Sequence, residues 1–134
     1  MAKKATPKKR ILIVEDDAEV RDVFGSMLMD AGYEVIEASY ALPALFRAAD
    51  SQPDLILVDL NMPMMNGVEL IDQFKAHLDT RDIPVVVVTG SDSKKDREQA
   101  FKAGCAGYLT KPLKAGEFVA QIRKLLSESK QAKS

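Results

Sequence analysis

Leu55-Ile56-Leu57-Val58-Asp59-Leu60-Asn61-Met62-Pro63-Met64-Met65-Asn66-Gly67 is the stretch on which the reading of the chain turns. Leu55 to Val58 is a short, wholly apolar run between Pro53 and Pro63, the pattern of a parallel strand covered on both faces by helices. A strand of that kind gains nothing from ending in a carboxylate, yet Asp59 stands at its carboxyl end, where open α/β sheets bind their ligands. Taken alone, Asp59 is equally well read as the cap of the following turn. The rest of the chain decides between the two.

The chain has 134 residues, enough for one domain with an ordinary core and no need of disulfide or metal staples. Its single cysteine, Cys105, excludes an internal disulfide and suits a reducing compartment. No apolar run reaches the roughly 18 residues of a membrane span, so a cytoplasmic protein with no membrane span is expected. The net charge of −1 conceals an asymmetry: residues 1–10 carry +5, leaving −6 on the remainder. The acidic body argues against nucleic acid as the principal ligand, and the basic leader reads as a solvated arm.

Outward from the opening stretch, hydrophobic periodicity alternates between strand and helix. Lys9 to Val14 forms a first buried strand that stops at Glu15-Asp16-Asp17. Val20, Val23, Phe24, Met27, Leu28 and Ala31 then make a helical stripe that Gly32 closes. Tyr33 to Ala38 is a shorter, more exposed strand, and Tyr40 to Ala49 a helix with Pro43 in its first turn. After the opening stretch, Gly67 to Leu78 is a helix with Val68, Leu70, Ile71, Phe74 and Leu78 inward. The β-branched run Val85 to Val88, ending on Thr89-Gly90, is the next strand. A charged helix over Lys94 to Ala103, a strand over Gly107 to Thr110 and a helix from Ala115 to about Leu126 complete the chain, with Phe118, Val119, Ile122, Leu125 and Leu126 inward. Residues 1–8 and 128–134 read as tails on a domain spanning 9–127. Five strands alternating with five helices, joined by right-handed crossovers, predict a doubly wound α/β sheet with helices on both faces.

In such a sheet all carboxyl ends open on one edge, so Glu15, Asp16, Asp59, Thr89 and Lys111 come together. Three carboxylates in one crevice repel unless a cation lies among them or they protonate. Mg²⁺ fits, because it takes oxygen ligands, keeps several waters and accepts one or two carboxylates plus a phosphate. Lys111 and the Thr89 hydroxyl would face the phosphoryl oxygens. Singly, each residue has an ordinary explanation: Glu15 and Asp17 as first-turn acids, Thr89 as a strand end, Lys111 as a surface lysine. Suitable chemistry at four strand ends together argues for a site.

Ile11-Leu12-Ile13-Val14-Glu15-Asp16-Asp17, Asp59 to Gly67, Val88-Thr89-Gly90 and Gly107-Tyr108-Leu109-Thr110-Lys111-Pro112 resemble the receiver domain of two-component response regulators, the single-domain, chemotaxis-regulator-like kind, from about Arg10 to Leu126. The resemblance implies a flavodoxin-like fold with strand order 2-1-3-4-5, the order of a chemotaxis receiver. It implies that Asp59 accepts a phosphoryl group from the phosphohistidine of a sensor histidine kinase or histidine phosphotransfer protein, and that the domain catalyses only its own phosphorylation and dephosphorylation. It further implies that Glu15, Asp16, Asp59 and the Asn61 carbonyl hold Mg²⁺, that Lys111 pairs with the acceptor, and that Lys111-Pro112 is cis. Asn61 and Ser91 would flank the path of attacking water. Drawing Thr89 toward a phosphorylated Asp59 would leave room for Tyr108 to turn inward, reshaping the face of helix four, strand five and helix five, with Lys95, Lys102, Lys114 and Glu117 around a modest apolar patch. An unidentified output protein would read that face, or the phosphoryl group would be relayed onward, since no DNA-binding or catalytic module follows Leu126.

The competing class is a flavodoxin-like binder of a small cofactor in the same crevice. That reading wants a phosphate-cradling loop after the first strand, where Glu15-Asp16-Asp17 would repel phosphate, and no dinucleotide or P-loop fingerprint is present. A haloacid-type phosphatase would want an acid where Asn61 stands. His77, the only histidine, reads as an exposed helix residue, Cys105 as a small buried filler, and Met62, Met64 and Met65 as loop packing.

Overall fold

The computed structural model describes residues 8–62 and 66–133, so Pro63, Met64, Met65 and most of the basic leader lie outside the described residues. The elements are β1 (Arg10–Val14), α1 (Ala18–Asp30), β2 (Glu34–Ala38), α2 (Ala41–Ser51), β3 (Leu55–Val58), α3 (Gly67–Ala76), β4 (Val85–Thr89), α4 (Lys94–Ala103), β5 (Gly107–Thr110) and α5 (Ala115–Lys133). The five strands form one sheet in the order β2-β1-β3-β4-β5, as the resemblance implies. Every pairing is parallel, with Ile11 beside both Val35 and Leu55, Ile56 beside Val85, and Val87 beside Tyr108.

Because side chains alternate along a strand, each apolar run feeds two cores. Leu12, Val14, Ile56, Val58, Val85 and Val87 pack beneath α2, α3 and α4 against Ala44, Ala48, Leu70, Ile71, Phe74 and Ala100. Ile11, Ile13, Leu55, Leu57, Val86 and Val88 pack on the other face against Phe24 and Leu28 of α1 and Phe118 and Ile122 of α5. Phe24 and Phe118 bring their ring centroids to 5.0 Å, tying α1 to α5. Burial on both faces is why β1, β3 and β4 read as unbroken apolar runs.

Local chemistry sets the helix ends. The Asp17 side chain accepts from the Glu19 and Val20 amides, Asn66 from Glu69 and Ser93 from Asp96, each satisfying an otherwise orphaned N–H. Gly104 closes α4 at φ +114°, a backbone conformation that glycine adopts without steric penalty.

Three expectations are corrected. Val23, placed on the inward stripe of α1, is 51% exposed, because the buried face is narrower and centres on Phe24 and Leu28. Leu78 is 72% exposed: α3 stops at Ala76, and the Thr80 hydroxyl donates to the Phe74 carbonyl at 2.7 Å. The last helix continues past Leu126 to Lys133, since Ser127 to Lys133 contains neither Gly nor Pro and only its apolar stripe ends. Among the described residues no helix is long and apolar enough to cross a membrane.

Candidate functional site

The carboxyl edge of β1, β3, β4 and β5 brings together the residues that their strand-end positions predict. The Glu15 amide donates to Ala38 and the Asp59 amide to Val14, which extends the ladder just far enough to fix both acids at the edge. Carboxylate oxygens of Glu15, Asp16 and Asp59 all lie within 4.8 Å of one another. Glu15 is 3% exposed, Asp59 half-buried and Asp16 exposed. Asp17 stands apart from the cluster, committed to capping α1. The ordinary explanation therefore holds for Asp17 and fails for Glu15.

Lys111 supplies the opposing charge. Its amide donates to the Thr89 carbonyl at 2.7 Å, aligning the residue at the end of β5, and the Lys111-Pro112 peptide is cis. Its Nζ reaches Glu15 Oε1 at 2.9 Å and Asp59 Oδ2 at 3.4 Å. Burial raises the Glu15 carboxyl above its ordinary range; the Lys111 hydrogen bond pulls it back, and the neighbouring Asp59 charge pushes it up again. Burial by itself would lower the Lys111 ammonium, but the hydrogen bond to Glu15 and the charge of Asp59 outweigh it and hold Lys111 above its ordinary value. One lysine among three carboxylates leaves a surplus of negative charge, and an all-oxygen donor set of this kind suits a hard divalent cation such as Mg²⁺.

The Thr89 side chain is fully buried, its hydroxyl accepting from the Asn61 side-chain amide and the Ser91 backbone amide, both at 3.4 Å. The Asn61 backbone amide also donates to Asp59 Oδ1 at 3.1 Å. Asn61 is thereby a direct bridge between the β3 acid and the β4 hydroxyl, a link that the sequence spacing does not reveal.

Tyr108 is buried, 7% exposed, in the core on the α4 side of the sheet. The phenol donates to the Ser91 carbonyl at 2.8 Å, and the Arg97 guanidinium lies 4.7 Å from the ring centroid. Ser91 in turn donates to the Asp96 carboxylate at 2.5 Å. Sequence reading names neither Arg97 nor Asp96; the only available signal is the Ser93-Lys94-Lys95-Asp96 capping pattern, which points to the helix start. Lys102 is also displaced from its expected place, lining the groove between α3 and α4. His77 is exposed just past the end of α3, and Cys105 is buried, its thiol pushed up to about 11 by burial.

Residues 11–123 match the family described as the response regulator receiver domain. The polar-differentiation response regulator DivK of Brucella ovis is 34% identical over 121 residues, a match covering 90% of this chain and 98% of that relative. Among solved structures, the CheY-like response regulator receiver domain protein of Methanospirillum hungatei superposes with a TM-score of 0.86 at 32% identity, covering 94% of this chain and 99% of the other. The receiver domain of a sensor histidine kinase from Pseudomonas aeruginosa, whose active-site cleft coordinates a magnesium ion, superposes with a TM-score of 0.83 at 28% identity, covering 90% and 99%. Sheet order, the strand-end acids and the span of these matches agree: the chain belongs to the response regulator receiver domain family.

Proposed function

We propose that this protein is a phosphorylation switch in which Asp59 accepts the phosphoryl group, and that Lys111, bridging Glu15 and Asp59 from the end of edge strand β5, is the observation that carries the assignment. The donor is the phosphohistidine of a sensor histidine kinase or a histidine phosphotransfer protein. An Asp59 carboxylate oxygen forms the new O–P bond as the donor's P–N bond breaks and its imidazole leaves. Water reverses the switch by attacking phosphorus, releasing inorganic phosphate and the free carboxylate.

Glu15, Asp16 and Asp59, with the Asn61 carbonyl, would hold Mg²⁺, which when bound neutralises phosphoryl charge. The Lys111 ammonium and the Thr89 hydroxyl are placed to donate to phosphoryl oxygens, so the chain promotes only its own phosphorylation and dephosphorylation. The domain, residues 9–127, acts in the cytoplasm. A flavodoxin-like cofactor role is not favoured, because the crevice is walled by carboxylates that repel phosphate.

Output passes through the face of α4, β5 and α5. Tyr108 is held inward by Ser91 and Arg97, and the Ser91 amide donates to the Thr89 hydroxyl at the end of β4, so movement of Thr89 toward a phosphorylated Asp59 would change that hold. Incubation with acetyl phosphate tests the central assignment. Wild type should be labelled in Mg²⁺, and neither Asp59→Asn nor wild type in EDTA should be. Equal labelling of Asp59→Asn would overturn it.

A further inference from the structure

A groove of about 710 Å³ runs between α3 and α4, with Asn61 of the acid site among its lining residues. Its floor is carbon, supplied by Leu60, Val68 and Ala103. Glu69 and Asp72, one helical step apart on α3, wall one side, and Asp96 on α4 walls the other. Among the described lining residues Lys102 is the one cation, leaving a charge of −2 along the groove. Among the described residues none of these four charged groups enters a salt bridge.

Two of the three acids are also held in place. Glu69 accepts from the Asn66 side-chain amide at 2.9 Å, and Asp96 from the Ser91 hydroxyl. Carboxylates already ordered in the free protein lose little freedom when a partner docks. A small inorganic cation would satisfy the acids and leave the apolar floor exposed to water. An acidic or uncharged segment would cover the floor while stripping water from carboxylates it does not match.

We propose that this groove is the docking site for a basic, amphipathic segment of a partner protein, its Lys or Arg side chains facing Glu69, Asp72 and Asp96 and its apolar side chains resting on Leu60, Val68 and Ala103. The surface lies on the flank of α4 opposite to that of Arg97 and Tyr108, so a partner seated there leaves the α4–β5–α5 face free. Docking does not require a phosphorylated Asp59, and its test stands apart from the labelling experiment.

The probe is a synthetic 12-residue peptide with Leu and Lys at helical spacing, titrated into the full chain and followed by amide NMR, with a Leu/Glu peptide of equal length as control. Saturable shifts should concentrate at residues 60–61, 68–72 and 96–103 for the Lys peptide alone. Asp72→Lys should weaken binding about tenfold, whereas Asp50→Lys, an equal charge change on exposed α2, should leave it within about twofold. Neither carboxylate makes a hydrogen bond among the described residues, so both variants should fold. Equal weakening by both variants, shifts centred elsewhere, equal binding of the Leu/Glu peptide, or self-association filling the groove without peptide would each overturn the proposal.

Discussion

Asp16→Asn should stabilise the metal-free protein while removing its response to Mg²⁺. Asp16 faces two neighbouring carboxylates within 4.8 Å, and Lys111 pairs with Glu15 and Asp59 and not with Asp16. In the dielectric of water each like-charge pair at that separation costs about 0.9 kcal/mol. Asp16 is exposed, so the aqueous value applies, and at 0.15 M salt a screening length of about 8 Å roughly halves it. Two such pairs come to about 1 kcal/mol, which for a domain of this size raises the melting temperature by roughly 2–5 °C. Asparagine keeps the shape, and the Asp16 side chain makes no hydrogen bond among the described residues that the change would break. Thermal melts in EDTA should therefore place the variant above wild type, and the gap should narrow in high salt. Adding Mg²⁺ at ten times its dissociation constant should raise wild type by about 1.4 kcal/mol and leave the variant nearly unmoved. A marked loss of metal-free stability would show that Asp16 holds the fold together, and an equal Mg²⁺ response in both proteins would remove it from the metal site.

Lys111→Met should destabilise the metal-free protein by about 2–4 kcal/mol at pH 8, below the full penalty for a deeply buried pair because Lys111 is partly exposed. Glu15 is already raised above its ordinary 4.5, so its contribution is fully present below that value and is lost as pH rises through the raised one. Losing Lys111 raises it further; the deficit should accordingly shrink from pH 8 to pH 5 in urea melts, and a pH-independent deficit would refute the account. Gly67→Ala would set a Cβ 2.7 Å from Leu60 Cα and 2.8 Å from the Asp59 carbonyl oxygen, where backbone must shift. It should cost about 2–3 kcal/mol and slow labelling of Asp59, whereas Gly116→Ala, with nothing within 4 Å, should be neutral or stabilising. Substituting Asn61 and Ser91 with bulky or charged residues should change the dephosphorylation rate of labelled protein without abolishing labelling; unchanged rates for both would refute their place beside the attacking water. Tyr108→Ala should leave labelling intact and reduce the difference in partner affinity between the two states, and a difference that survives in both Tyr108→Ala and Thr89→Ala would exclude this route of output.

Legibility in the sequence follows the range over which each feature is determined. All ten elements are present in two periodicities, and the site acids follow from topology, because parallel strands must end on one edge whatever their side chains. Val23 and Leu78 mislead for a related reason: an apolar residue at helical spacing records a possible inward face, whereas its burial depends on how much neighbouring helix covers it. The conformation of Tyr108 lies beyond periodicity altogether. Alternation along β5 assigns its side to α4, in agreement with its place in the core beneath α2, α3 and α4. Whether the ring points in or out is decided by the Ser91 carbonyl and by Arg97, which come from a loop and a helix 17 and 11 residues away in sequence. Those partners tie the ring to Ser91, whose backbone amide also donates to the Thr89 hydroxyl, so Tyr108 and the acid site share one short segment of chain. Under the proposed function a change at Asp59 would reach the ring through this segment, so the Tyr108–Ser91 hydrogen bond should alter when the protein is treated with acetyl phosphate, and an unaltered bond would refute the route.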